Sequence, residues 1–180
     1  MKRKQFIQAS GWGLGMALIP WSIKGQSITE DNTTSSINPK IVRDSEGDVL
    51  NVIGDIQTHK LVGSDTNNQL VEWVDNVAPG VGIPPHIHTK EDEIFRVVKG
   101  QIEIMVGEVT TILKEGDCAF APKNIPHAWT VVGIEKAKMI TTAFPAGIEF
   151  MFAELSKLPE GPPDFEKVTA ICNNHGISFV

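Results

Sequence analysis

Residues 80–100 read Gly80-Val81-Gly82-Ile83-Pro84-Pro85-His86-Ile87-His88-Thr89-Lys90-Glu91-Asp92-Glu93-Ile94-Phe95-Arg96-Val97-Val98-Lys99-Gly100. An extended run ending at His88 and another starting at Glu93 flank a polar turn, Thr89 to Asp92, which is the pattern of two adjacent strands. Side chains two apart on a strand share a face, so His86 and His88 aim together while Ile87 faces away. The turn returns Glu93 on the next strand, where its carboxylate can reach the same point. A second block, Gly116-Asp117-Cys118-Ala119-Phe120-Ala121-Pro122-Lys123-Asn124-Ile125-Pro126-His127, sets a strand and a tight turn ahead of another inward-facing strand, and His127 supplies a third imidazole. Three imidazoles and a carboxylate are a donor set for a divalent metal. His59 and His175 lie outside both blocks and are not expected to hold it.

Outward from these blocks, residues 41–144 are a series of short runs (LVEWV, IFRVV, IEIMV, VTTIL, MITTAF) separated by Gly, Pro, Asn and Asp, an all-β pattern. Gly107-Glu108 suits a two-residue hairpin turn. Alternation before it puts Ile102, Ile104 and Val106 on a dry face and Gln101 and Glu103 on the other. After Pro145, Ile148, Phe152 and Leu155 fall at helical spacing, and a second helix is expected from Pro163 to Asn174, closed by Gly176. The final GISFV fits either an edge strand or a cover over a hydrophobic face. The expected organisation is an export signal at 1–25, a polar linker at 26–40, a barrel at 41–156 and a C-terminal helix and tail packed on it at 157–180.

The chain has 180 residues, 41% hydrophobic and 21% charged, which suits one ordinary globular core. A net charge of −6, with no long basic run, excludes a backbone-reading nucleic-acid binder. Lys2, Arg3 and Lys4 precede an apolar stretch from Gly11 to Ile23, followed by Gly25, Gln26 and Ser27, the layout of an export signal. Arg3-Lys4-Gln5-Phe6-Ile7 resembles a twin-arginine signal with Lys for the second Arg. The apolar stretch is shorter than the roughly 20 residues a bilayer needs and is broken by Pro20, so no lasting membrane span is expected. The processed chain would be periplasmic or extracellular, and more acidic for the loss of four basic residues. Cys118 and Cys172 are too few for a disulfide framework and are expected as buried free thiols.

The two blocks resemble the signature motifs of the cupin superfamily. The first carries Gly80, His86, His88, Glu93 and Gly100 at every motif position. The second carries Gly116, Pro122 and His127, with Asn124 where the family has Gly and Val131 where it has Asn. Asn tolerates positive φ better than other non-glycine residues, and Val131 removes a polar side chain near the turn. The resemblance spans Asp55 to Ser156, and HTKEDEIFRVVKG together with GIEFMFAEL is most similar to small quercetin-dioxygenase-like cupins. It implies an antiparallel jelly-roll barrel, here with short C-terminal helices, assembled as a homodimer. It also implies one divalent transition metal ion (Fe, Mn, Ni, Co, Cu or Zn) on His86, His88, Glu93 and His127.

Four ligands on an ion that prefers six leave two positions for a small-molecule substrate or dioxygen. A net positive centre favours anionic oxygen donors such as enolates, catecholates or carboxylates. Strand parity gives Phe95, Val97 and Trp129 the inward direction of Glu93 and His127, either as a hydrophobic substrate wall or as barrel filling. The chain has no tyrosine, which removes the phenol acid that the family implies for cupin sugar epimerases. Arg96 has outward parity and Lys99 abuts the Gly100 turn. Glu93 is thus the inward candidate base within the motifs, and resemblance to quercetin dioxygenases implies that it both binds metal and accepts a proton. Three functions fit: a dioxygenase acting on an enolic or flavonol-like molecule, a metal-dependent lyase or isomerase, and a non-catalytic module binding a small acid or sugar.

Overall fold

The structure is a computed structural model that describes residues 37–159 and 161–180. The expected export signal and the linker up to residue 36 lie outside the described residues. Among the described residues, no helix is long and apolar enough to cross a membrane. In chain order the elements are β1 (Asp48–Val52), β2 (Asp55–Leu61), α1 (Gly63–Thr66), β3 (Val71–Val77), β4 (Gly82–His88), β5 (Asp92–Lys99), β6 (Gln101–Val106), β7 (Val109–Lys114), β8 (Cys118–Ala121), β9 (His127–Val131), β10 (Ala137–Phe144), α2 (Ile148–Leu155), α3 (Phe165–His175) and β11 (Ile177–Phe179).

The strands form two antiparallel sheets, ordered β1-β2-β3-β10-β5-β8 and β11-β4-β9-β6-β7, which is the jelly-roll arrangement. Gly107 at φ 59° opens the β6–β7 turn, and Val106 pairs with Val109 across it. Ile102 and Ile104 are buried while Gln101 and Glu103 are exposed, as strand alternation requires. On β10 every second residue, from Ala137 to Ala143, is buried. On α2, Ile148, Met151, Phe152 and Leu155 face the interior. Helix α3 starts where the Asp164 carboxylate accepts from the Lys167 amide (3.3 Å), a side-chain cap, and stops at Gly176, whose φ of 89° a side chain would resist.

The last residues form an edge strand. β11 pairs with β4, setting Ile177 opposite His88 and Phe179 opposite His86. The tail is therefore sheet partner to the His-x-His strand, which β9 holds on its other side. Both cysteines are free, but only Cys172 is buried. Cys118 lies on edge strand β8 opposite exposed Arg96, so the expectation of two buried thiols fails there because its outward position on that strand faces solvent. Asn124 adopts φ 65°, the conformation that its place in the motif demands. Val131 is buried in the core, and its backbone carries the turn: Val131 N–H donates to the Val81 carbonyl and Gly80 N–H to the Val131 carbonyl, each at 2.9 Å.

At Gly82 the backbone of β4 runs close against that of β9. A Cβ there would strike the Trp129 carbonyl oxygen and lie 2.6 Å from Thr130 Cα, both fixed backbone. Gly82→Ala should therefore cost about 1–3 kcal/mol by pushing the strands apart. A lowered urea midpoint with unchanged denaturant slope is the expected result; an unchanged midpoint would show that the strands yield freely.

Candidate metal centre

His86 and His88 lie on the buried face of β4, and the sheet register places His127 of β9 directly opposite His86. Glu93 enters from β5 in the other sheet, flanked by Ala143 on β10 and Ala121 on β8. These two small neighbours leave its carboxylate clear to reach the facing sheet. All four side chains are buried, and one ligand atom from each lies within 4.8 Å of the other three.

The hydrogen bonds fix how the rings point. A carbonyl can only accept, so the contacts His86 Nδ1 to Pro84 O (2.8 Å) and His127 Nδ1 to Ile125 O (3.2 Å) place the proton on Nδ1 of each ring. That leaves both Nε2 lone pairs free to ligate. His127 Nε2 then faces Glu93 Oε2 at 2.9 Å, and His88 Nε2 lies 3.8 Å from the same oxygen. A neutral imidazole lone pair set against a carboxylate oxygen needs a cation between them, a proton or a metal. The donor set fits a divalent transition ion.

Burial pushes His86 down to about 4, with the neighbouring His127 and His88 adding to the fall. Burial likewise lowers His88. At Glu93 burial acts to raise the pKa, but His88, His127 and His86 outweigh it and hold the carboxyl below its ordinary value. Neutral His86 and His88 with an ionised carboxylate are the protonation states that ligation requires.

One further group belongs here that the sequence reading missed. Glu91 is buried, and its Oε2 faces His88 Nδ1 at 3.9 Å, both atoms lacking a hydrogen-bond partner. The gap is too long for a hydrogen bond, yet the geometry is that of an outer carboxylate aligned on the far nitrogen of a ligand imidazole. Burial raises Glu91. Its place in a polar turn gave no sign of burial.

His86, His88 and Glu93 open onto a cavity of 680 Å³ that runs beneath α2 and α3. Phe95 and Trp129 line it, and the Phe95 ring centroid lies 5.9 Å from that of His127. Val97 does not line it; it packs in the apolar cluster that holds Met139 and Ile102. Arg96 and Lys99 are exposed. His59 is buried away from the four ligands, stacked on Trp73 at 6.1 Å, and His175 pairs with Glu154 at 3.1 Å.

Between about pH 6.5 and 4 the unfolded chain protonates its histidines while buried His86 stays neutral, so stability rises with pH across that window. Metal-free protein should lose on the order of 3 kcal/mol through His86 as pH falls across it. Urea midpoints measured against pH in chelator would show this slope, lessened in His86→Asn; a flat profile in the parent protein would refute it.

A sequence profile of the cupin domain matches residues 73–143. The pectin degradation protein KdgF of Dickeya dadantii (strain 3937) is 29% identical over 90 residues, covering 46% of this chain and 80% of its own. Among solved structures, KdgF from Halomonas sp. superposes with a TM-score of 0.54 at 19% identity, over 63% of this chain and 99% of that one. A predicted oxalate decarboxylase from Thermotoga maritima gives a TM-score of 0.54 at 20% identity, over 59% and 99%. These structures share the fold, and the profile match identifies residues 73–143 as a cupin domain.

Proposed function

We propose that this cupin holds one divalent transition metal ion on His86, His88, Glu93 and His127 and oxidatively cleaves an enolic, aromatic small molecule. The observation that carries this reading is the 680 Å³ cavity, walled largely by apolar and aromatic side chains, that opens onto three of the four ligand residues. A bound divalent ion would supply Lewis-acid polarisation of chelating oxygens and a centre for dioxygen chemistry. Phe95 and Trp129 offer ring faces to a planar ligand, and Phe152 and Leu155 of α2 keep water from it. Glu93 is the carboxylate at the ligand end of the cavity and accepts the enol proton.

A second reading has a specific support. The Dickeya dadantii relative is a pectin degradation protein, which favours oxygen-independent conversion of a pectin-derived acid at the same four residues. Export to the periplasm or beyond and assembly as a homodimer belong to the proposal as well.

Elemental analysis should find one metal per chain, lost in His88→Ala and kept in His59→Ala; the reverse pattern would overturn the ligand assignment. Glu93→Gln should lower flavonol-dependent oxygen uptake by about 10²- to 10⁴-fold, more than it lowers metal content. Anaerobic turnover of a pectin-derived acid, with no oxygen uptake on any flavonol, would select the second reading. N-terminal sequencing of protein from fractionated cells should begin near Gln26; an intact Met1 in the cytosol would refute export.

A further inference from the structure

The three ligand imidazoles are not held alike. His86 Nδ1 donates to the Pro84 carbonyl at 2.8 Å and His127 Nδ1 to the Ile125 carbonyl at 3.2 Å, each two residues back along the chain. At His88 no carbonyl takes that place. Its Nε2 lies 3.8 Å from Glu93 Oε2, its Nδ1 lies 3.9 Å from Glu91 Oε2, and Nδ1 has no hydrogen-bond partner among the described residues.

A neutral imidazole that ligates through Nε2 carries its proton on Nδ1. In a residue that is 2% exposed, an unpaired N–H has lost its water and gained nothing in return. The atom across from it has the complementary lack. Glu91 Oε2 is buried in a residue that is 4% exposed, and it too has no partner among the described residues. One orphaned donor and one orphaned acceptor therefore face each other. Closing the gap to a hydrogen bond takes a shift of about 1 Å, which the soft terminal torsion of a glutamate allows.

The backbone keeps Glu91 where it can do this. The turn from β4 to β5 is pinned at three points: the Asn124 amide donates to the His88 carbonyl at 2.7 Å, the Thr89 amide to the Gly176 carbonyl at 2.9 Å, and the Lys123 amide to the Asp92 carboxylate at 2.7 Å. Gly147, at the start of α2, stands over the other carboxylate oxygen, and a Cβ there would lie 3.8 Å from Glu91 Oε1. Glu91 is not among the residues that line the cavity, whereas His88 is. It reaches a bound molecule only through that imidazole.

We propose that Glu91 is a positioning residue for the metal: its carboxylate accepts a hydrogen bond from His88 Nδ1–H, fixing the tautomer that ligates through Nε2 and raising the basicity of that nitrogen. A carboxylate does at His88 what a backbone carbonyl does at His86 and His127, and its charge makes His88 the most electron-rich ligand of the three. The N–H in turn offsets part of the cost of burying the carboxylate. The inference rests on the reading that His86, His88, Glu93 and His127 hold a divalent ion.

The test uses zinc alone as the probe, because it is diamagnetic and its affinity can be read in competition with a chromophoric chelator. Glu91→Leu, which removes the acceptor at similar volume, should weaken zinc binding by about 10- to 100-fold. Glu91→Gln, which keeps a neutral acceptor oxygen, should fall between that variant and the parent. Heteronuclear NMR spectra of the zinc-loaded protein with isotope-labelled histidine separate this effect from a general loosening. In Glu91→Leu the His88 Nδ1–H signal should shift upfield or vanish through exchange with water, while those of His86 and His127, bonded to carbonyls, stay in place. If Glu91→Leu does not fold, the same shift confined to His88 in Glu91→Gln carries the test. Parent-like zinc affinity in both variants, or three imidazole signals that move together, overturns the role of Glu91 and leaves the metal centre standing. A parent protein that binds no zinc overturns the metal centre and this inference with it.

Discussion

Across the gap between the two sheets, His127 Nε2 and Glu93 Oε2 meet at 2.9 Å, a contact that calls for a proton or a metal ion shared by the two atoms. Burying three imidazoles and a carboxylate here costs free energy that the rest of the interior must offset, so the fold has to hold the two sheets together at this point. It does so with apolar packing on either side. One cluster joins α2, α3 and β11 to the start of β3; the other fills the space between β5, β6, β9 and β10. Without both, the four ligands would drift apart or take up solvent.

The inner face of the first sheet shows how the division is made. On β3 the inward residues run Val71, Trp73, Asp75, Val77, and on β10 Ala137, Met139, Thr141, Ala143. The outer members of each series belong to one cluster or the other, and Asp75 and Thr141 stand between clusters. A band of polar side chains therefore crosses the sheet where two apolar cores adjoin, and the cavity opens along it. The helices are necessary to this plan: with the barrel interior given over in part to polar groups, Ile148, Met151, Phe152 and Leu155 supply apolar area that the strands alone do not.

The four candidate ligands were legible in the sequence because each depends on local parity. His-x-His fixes two of them on one face whatever the neighbours are, and a short turn limits where Glu93 can return. The inward faces of Phe95 and Trp129 followed by the same rule. Parity cannot say how deep an inward residue sits, so Val97 shared their direction while packing in the core below the cavity. Glu91 and the β11 pairing were not legible for a related reason: each is decided by an element distant in sequence. Glu91 is buried near Gly147 at the start of α2, and β11 finds β4 about 90 residues before it.

Asp55 and Asp75 mark the sharper limit of sequence reading. In D-I-Q-T-H and W-V-D, alternation of polar with apolar residues is what a half-exposed strand shows, and Asp55, Gln57 and Asp75 read naturally as its wet face. The structure turns them inward. On β2 Asp55, Gln57 and His59 are buried while Ile56 between them is exposed. A strand that sets its acids inside and an isoleucine outside runs against the transfer free energies of both. The arrangement holds because Trp73, Thr141 and Gln57 donate to those carboxyls and because the same face borders a cavity rather than a close-packed core. Acids on the inner face of a strand are thus tolerable here because the protein's own donors meet them at the polar end of the cavity, while Phe152 and Leu155 keep the helix side apolar.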